Sequence, residues 1–409
     1  MAEWKRVRLG DVADLALGKM LDSKKNHGSP YRYLNNVAVR WGSFDLDELP
    51  EMRFEQDEFE RYLIRENDIV ICEGGEPGRC AIWKNSDPIF YQKALHRARV
   101  RESACARFVY YSFKNLVISG ATKHYETGST IRHLPAQNLK EIEIPLPPLS
   151  TQKKIAAVLG AIDDKIEANR KICANLEAQA QALFKSWFVD FEPFGGKMPK
   201  DWKEIKLSEI ADFYGGYSYK GEELQASNCA MATIKNFERG GGFKLDGFKE
   251  IIPSPKLKPF HEVDIFDVLV AHTDLTQKAE VIGNAEMLMS KAGYDKIIMS
   301  MDLVKVLPKK GVSKFLLGAL LKNPVFKAHC LRYVNGTTVL HMSKSALDEY
   351  SLWFPDNSIA LNRVSELLES NCKKISAIID ESRALASMRD ALLPRLMSGE
   401  IDVEKVEVA

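Results

Sequence analysis

Three things are scarce in this chain. Cysteine occurs seven times in 409 residues, scattered, with no CxxC pair and an odd total. That argues against the disulfide framework of a secreted domain. No charge sign dominates, since 57 lysines and arginines meet 56 aspartates and glutamates, so any surface for a polyanion must be local. Long apolar runs are missing as well. The longest, Phe315 to Leu321, is far too short to cross a membrane, and Met1-Ala2-Glu3-Trp4-Lys5-Arg6 carries no apolar signal region. Together these absences predict a soluble, cytoplasmic protein with no membrane partner.

What is present is a repetition. Trp4-Lys5-Arg6-Val7-Arg8-Leu9-Gly10-Asp11-Val12-Ala13 returns as Trp202-Lys203-Glu204-Ile205-Lys206-Leu207-Ser208-Glu209-Ile210-Ala211. Gly128-Ser129-Thr130-Ile131-Arg132-His133-Leu134 returns as Gly336-Thr337-Thr338-Val339-Leu340-His341-Met342. Between them, Leu34-Asn35-Asn36 matches Ile234-Lys235-Asn236, and Asp68-Ile69-Val70-Ile71 matches Asp267-Val268-Leu269-Val270. The order is kept, and the length suits two domains with spacers. Two similar domains suit a job done twice on a two-part target.

Each copy reads as short strands and turns with a few short helices. Asp68-Ile69-Val70-Ile71-Cys72 is a buried-strand run stopped by the turn cluster Gly74-Gly75-Glu76-Pro77-Gly78. Phe108 to Leu116 predicts a helix, and the first copy closes on Ile142-Glu143-Ile144-Pro145-Leu146-Pro147-Pro148, whose prolines end any strand. Ser150 then stands where a helix N-cap belongs. From there the pattern turns to heptads: Ile155, Leu159, Ile162, Ile166, Asn169, Cys173, Leu176, Ala180, Leu183 and Trp187 alternate four and three residues apart. This predicts a helix of roughly 60 Å, running to about Asp190, whose seam needs a partner. Pro193-Phe194-Gly195-Gly196-Lys197-Met198-Pro199 forms the hinge. A second, less regular seam carries Leu361, Val364, Leu368, Asn371, Ile375, Ile378, Leu385, Leu392 and Leu396. The two helices are the natural partners of each other, and a short hinge favours an antiparallel pair.

Catalytic motifs fail one by one. Asn323-Pro324-Val325-Phe326 lacks the second proline of an adenine methyltransferase motif, and Gly196-Lys197-Met198 lacks the spacing and Ser/Thr of a Walker A loop. His124-x-Glu126 is followed by no Pro-Cys-x-x-Cys, and His261-Glu262 by no histidine at zincin spacing. Glu204-x-Lys206 could belong to a nuclease core, but the first copy has Arg6-x-Arg8 there. The chain reads as non-catalytic, binding no cofactor or metal of its own.

The repeat, the exit Pro145-Leu146-Pro147-Pro148-Leu149-Ser150-Thr151-Gln152, the segment Leu183-Phe184-Lys185-Ser186-Trp187-Phe188-Val189-Asp190-Phe191-Glu192-Pro193, and Leu392-Leu393-Pro394-Arg395-Leu396-Met397-Ser398-Gly399-Glu400-Ile401 resemble the specificity subunit of type I restriction–modification systems. The resemblance covers essentially the whole chain. It implies an α+β fold in which two α/β target recognition domains each precede a long spacer helix, the helices pairing as an antiparallel coiled coil with pseudo-two-fold symmetry. The expected boundaries are 1–149 and 195–355 for the recognition domains, 150–194 for the first spacer helix, and 356–409 for the second helix with a tail. The seam residues are Ile155, Leu159, Ile162, Ile166, Leu176, Leu183, Leu368, Ile375, Ile378, Leu385 and Leu392. Each domain would read one half of a split, asymmetric target in double-stranded DNA. The helices would set the gap and dock two methyltransferase subunits, which carry S-adenosylmethionine, and motor-nuclease subunits would join them. Trp353-Phe354-Pro355-Asp356 departs from the Pro-rich exit of the first copy. The rival reading is a tandem-domain scaffold with no sequence-specific DNA binding.

Base reading needs donors and acceptors on exposed loops, with phosphate contacts to set register. The candidates are the loop with Lys24, Lys25, Asn26 and His27; the alternating Arg97, Arg99 and Arg101 as a phosphate stripe; and Gly128, Ser129, Thr130, Arg132 and His133, with Gly336, Thr337, Thr338 and His341, as phosphate cradles at helix starts. Tyr217, Tyr219 and Lys220 form an aromatic-basic loop, and His272, Thr273 and Asp274 follow a strand where the first copy has Glu73-Gly74-Gly75. Each set has a structural alternative: a solvated loop, a sheet face paired with carboxylates, a capping turn, core tyrosines, or loop drift.

Overall fold

A strand that is apolar at every position needs cover on both faces, and Ile69–Cys72 has it. Ile69 and Ile71 enter one buried cluster, Val70 and Cys72 another. Its counterpart Val268–Ala271 divides the same way, Val268 and Val270 to one side, Leu269 and Ala271 to the other. In this computed structural model, which describes residues 4–22, 26–355 and 361–405, the chain forms two compact units. One comprises residues 1–165 with 385–409, the other residues 166–384. The fold is α+β.

In the first unit Ile69–Cys72 lies in an antiparallel sheet whose strand order is Ala13–Leu17, Leu95–Val100, Ile69–Cys72, Cys80–Ile82. A second, mixed sheet orders Glu51–Phe54, Ser29–Leu34, Ile89–Tyr91 and Leu63–Ile64. The domain is closed by pairing its first strand, Lys5–Arg8, with its last, Glu143–Leu146. Pro145 lies inside that last strand rather than ending it, which a two-stranded ribbon tolerates because one edge of each strand is unpaired. The predicted helix is Ala106–Ile118, and it covers the first sheet through Phe108, Val109 and Phe113.

The second unit repeats this plan. Its antiparallel sheet orders Ala211–Gly215, Leu303–Pro308, Val268–Ala271 and Ala285–Met287. Cys229–Ala232 pairs with Lys249–Glu250 and, in parallel, with Lys296–Met299. Trp202–Lys206 with Ser351–Pro355 closes the domain.

The heptad run folds as one helix, Leu149–Phe188, and the second seam as Asn362–Met397. Ser150 falls in the first turn instead of capping it. The side chain of Gln152 anchors this end, donating to the Pro147 carbonyl at 2.8 Å and accepting from the Cys105 backbone at 2.9 Å. Every one of the eleven predicted seam residues is buried or half-buried. Within the first unit Arg389 donates to Asp163 at 2.8 Å. Within the second, Asn169 donates to Glu381 at 2.7 Å and Asn371 to the Leu176 carbonyl at 3.4 Å. Partner numbers fall along the second helix as they rise along the first. The start of the predicted 356–409 segment, residues 356–360, lies outside the described residues.

Candidate nucleic-acid interface

The two copies of the Gly-Ser/Thr-Thr motif form the same tight loop, and it is not a helix start. The following helices begin only at Ala136 and Ser345. In the first unit Thr127 and His133 exchange backbone hydrogen bonds of 2.8 and 2.9 Å, making the segment between them a hairpin tip. Gly128 turns the chain with φ +95°, and a Cβ there would lie 2.2 Å from the Ile131 carbonyl oxygen. Gly336 does the same at φ +118°, with the Val339 carbonyl oxygen 2.3 Å away. Only glycine fits either position. The expected phosphate cradle on helical N–H groups is therefore replaced by a projecting tip.

That tip carries exposed polar groups. Gly128, Ser129, Thr130, Arg132 and His133 are all exposed, and Ile131 among them is 65% exposed. Arg132 reaches Glu126 at 3.4 Å. The tip is braced against the loop after Ile69–Cys72, because Leu134 donates to the Glu73 carbonyl at 2.7 Å and His133 bridges to Gly74. Buried His96 supports it from below through the Leu134 carbonyl, 2.8 Å from Nε2.

In the second unit Gly336, Thr337, Thr338 and His341 are exposed in the equivalent tip, and Thr273–Asp274 pairs with Leu340–His341 beside it. Here the expectation for His272 and Thr273 needs correction. Thr273 is buried, its hydroxyl donating to Asp302 at 3.1 Å. His272 is half-buried, its pKa lowered by burial and then by His341 and Lys344. Asp274 organises the loop that follows, accepting from the Thr276 backbone at 2.7 Å, its hydroxyl at 2.9 Å and the Val281 backbone at 2.9 Å. Burial alone would push its carboxyl up, but those hydrogen bonds outweigh it and hold it below the usual carboxylate value. The groups so presented are Leu275, Gln277 and Lys278, all exposed; Gln277 donates to the Thr337 carbonyl at 2.6 Å. Sequence reasoning stopped one residue short of them, and Asp-x-Thr, a turn signature, was the available signal.

Several of the remaining candidates are engaged within the protein. Arg97 is 4% exposed and donates to the carbonyls of Glu60, Arg61 and Leu63 and to Asp14. Arg99 makes a two-pronged contact with Asp68 at 2.9 and 2.7 Å, and Arg101 donates to the carbonyls of Gly10 and Asp11. The expected phosphate stripe is a brace of intramolecular contacts, buried at Arg97 and exposed at Arg101. Tyr217 is 2% exposed, its hydroxyl 2.7 Å from Glu223 and 2.8 Å from Ser254. It is a core tyrosine, not a groove reader. Tyr219 is half-buried beside Lys249, which leaves Lys220 as the exposed member of that loop. Asn26 accepts from the Arg53 backbone at 2.8 Å and His27 is exposed, whereas Lys24 and Lys25 lie outside the described residues. Among the described residues no cluster of His, Cys, Asp or Glu could hold a metal ion, and no helix is long and apolar enough to cross a membrane.

The fold and its tips define a class, an internally duplicated α+β protein that presents two unlike loop clusters on one repeated frame. Comparison with known proteins narrows it. Residues 1–178 match the family described as the type I restriction modification DNA specificity domain. The chain is 28% identical to the type I restriction enzyme MjaIX specificity subunit of Methanocaldococcus jannaschii, over 83% of this chain and 78% of that one. It is 24% identical to the HindI specificity subunit of Haemophilus influenzae, over 98% and 100% of the two chains. The fold is similar to the crystal structure of a type I restriction–modification S subunit from M. genitalium, with a TM-score of 0.61, 16% identity and 96% of each chain covered. Along nearly its whole length the chain is thus similar to specificity subunits of type I restriction–modification systems, and residues 1–178 match their DNA specificity domain.

Proposed function

We propose that the chain is the specificity subunit of a type I restriction–modification system, and that each of its units reads one half of a bipartite, asymmetric DNA target. The observation that carries the reading is the pair of tips: the glycine turn is the same in both copies, while the side chains around it differ. Ser129, Thr130, Arg132 and His133 serve one half-site. Thr337, Thr338 and His341, with Gln277 and Lys278, serve the other. Hydroxyls, an amide and cations are the groups that base edges and phosphates accept or donate to.

The recognition domains correspond to residues 1–149 and 195–355. The long helices pair as an antiparallel coiled coil with pseudo-two-fold symmetry. At 40 residues the first is about 60 Å long, enough to separate half-sites by a helical turn of about 34–36 Å. The same helices dock two methyltransferase subunits, which bring S-adenosylmethionine, and motor-nuclease subunits complete the restriction complex in the cytoplasm. The chain itself is non-catalytic.

The test is a methylome. This chain is expressed with the methyltransferase encoded beside its gene, in a host lacking other adenine methylation, and modified bases are sequenced. The expected outcome is a split motif with methylated adenine in both halves, absent when this chain is omitted. Soluble, co-purifying subunits that leave DNA unmodified would favour a tandem-domain scaffold instead.

A further inference from the structure

The two copies carry a lysine at the same place and treat it differently. Lys114 and Lys322 stand equally far beyond the strand that precedes their helix, which ends at Val100 in one copy and Pro308 in the other. Lys322 donates to Glu286 at 2.7 Å. Glu286 lies on the edge strand opposite Leu269, and in the first copy Ala81 lies opposite Val70. Leu269 and Val70 hold the same position in the matching runs Asp267–Val270 and Asp68–Ile71. The first copy thus has Ala81 where the second has the neutralising carboxylate.

Lys114 is 3% exposed, and among the described residues no side-chain hydrogen bond or ion pair reaches its ammonium. The Tyr110 ring lies 5.7 Å from it. It faces a cavity of about 560 Å³, walled by Trp41, Val117, Ile118, Lys123 and Arg389. The three carboxylates that line the same cavity are already engaged: Glu76 with Arg79, Glu126 with Arg132, and Asp390 with Arg389. Arg389 also holds Asp163. Two ammoniums, Lys114 deep and Lys123, therefore lack a carboxylate among the described residues. Burial, and then Arg389, lower the Lys114 pKa against the opposing pulls of Asp163, Cys80 and Asp390, the sign of a charge that its surroundings compensate only in part. A buried charge is costly until something pairs it.

We propose that this cavity is a binding site for an organic carboxylate of single charge, its oxygens on Lys114 Nζ and its apolar body against Trp41 and Ile118. The charge is single because Lys114 is the one buried ammonium of the lining without a carboxylate, Lys123 being exposed. Ile118, 60% exposed, makes the mouth apolar. The carboxylate belongs either to a free small acid or to the acidic residue of a docking protein segment. The proposal does not depend on which DNA sequence is read.

Calorimetric titration of the full chain tests it with benzoate, benzyl alcohol, inorganic phosphate, and two capped tripeptides, Leu-Glu-Phe and Leu-Gln-Phe. Benzoate or the Glu peptide is expected to bind at least tenfold more tightly than its neutral partner, and than phosphate. Lys114→Met should lose that binding at least tenfold, and exposed Lys153→Met should not. Tighter binding of benzoate identifies a free acid, and tighter binding of the Glu peptide a protein segment. Lys114→Met removes an unpaired buried charge and should fold. Should it not, Ile118→Asp, at the exposed mouth, must lower the affinity at least tenfold. Equal affinity of either carboxylate for wild type and variant, a preference for phosphate, or no binding of either carboxylate overturns the proposal.

Discussion

Arg97 in the first unit and Lys305 in the second occupy the same rung of the same strand, facing Val70 and Leu269. Both are buried, and both use their charge to cap backbone carbonyls, Arg97 those of Glu60, Arg61 and Leu63, Lys305 that of Glu262. Lys305 also lies 3.7 Å from Asp267. The copies keep the requirement, a buried cation under a loop, and not the residue. A cation that satisfies carbonyls inside the frame cannot at once neutralise phosphate. The tips show the opposite behaviour. Their backbone is held to within a similar turn by Gly128 and Gly336, and the exposed side chains diverge. The frame is shared and the exposed tips are not, which is what the proposed recognition of two different half-sites requires.

The largest test of that contrast is exchange. Replacing residues 199–355 with the corresponding domain of a relative should change one half of the methylated motif completely and leave the other half as it was. Sequencing of modified bases reads this directly. A chimera that altered both halves would break the division between the units.

Next come the two glycines, which should behave alike. Gly128→Val and Gly336→Val each force a branched residue into positive φ and drive Cβ onto a carbonyl oxygen. Strained backbone of this kind costs about 1–3 kcal/mol, measurable by urea denaturation, and each variant should lose methylation of sites through one half only. A large cost at one glycine and none at the other would mean that the tips are not equivalent.

Much of this frame was legible in the sequence. The repeat marked the two matching segments 4–13 and 202–211, the doubly buried strands Ile69–Cys72 and Val268–Ala271 announced themselves by apolar content, and the heptads predicted the first long helix to within two residues of its end at Phe188. The candidate site was less legible, for a physical reason. Arg97, Tyr217 and Thr273 are polar residues whose partners come from distant segments, Glu60 to Leu63, Ser254 and Asp302. Local pattern gives residue type and spacing; it does not say which carbonyl or carboxylate a side chain will meet after folding. The hairpin tip was misread because Gly-Ser-Thr suits a helix start as well as a turn with positive φ.

A smaller effect concerns the helix seam, where the units again differ. The first unit pairs Asp163 with Arg389, and the second buries Asn169 at 1% exposure, with its Oδ1 lacking a partner among the described residues. Asn169→Leu should therefore stabilise the second unit by on the order of 1 kcal/mol, since it removes an unsatisfied polar atom. The same variant should weaken the fixed register that a seam asparagine provides. Calorimetric melting checks the first effect, and spread in the gap of the methylated motif checks the second. A destabilised variant would mean that the contacts of Asn169 with Glu381 and Ser382 outweigh its orphan oxygen.

The smallest effect is a shared response to acid, reached in the two units through different histidines. His96 in the first is fully buried, with Nδ1 unpartnered among the described residues, and burial, the largest cause, lowers its pKa against the opposing pull of the Leu134 carbonyl. His272 in the second is lowered by burial and then by His341 and Lys344. A histidine whose folded pKa lies below its unfolded value, about 6.5, is neutral in the fold, and the unfolded chain binds the proton first. Stability is thus full above about pH 6.5 and falls as pH drops from there towards the lowered folded values. His96→Gln keeps a donor for the Leu134 carbonyl and has nothing to titrate, so it should flatten the loss of first-unit stability below pH 6.5. His272→Gln should flatten that of the second. Urea denaturation from pH 7.5 to 5 measures both slopes, and unchanged slopes in both variants would assign the acid response to other groups.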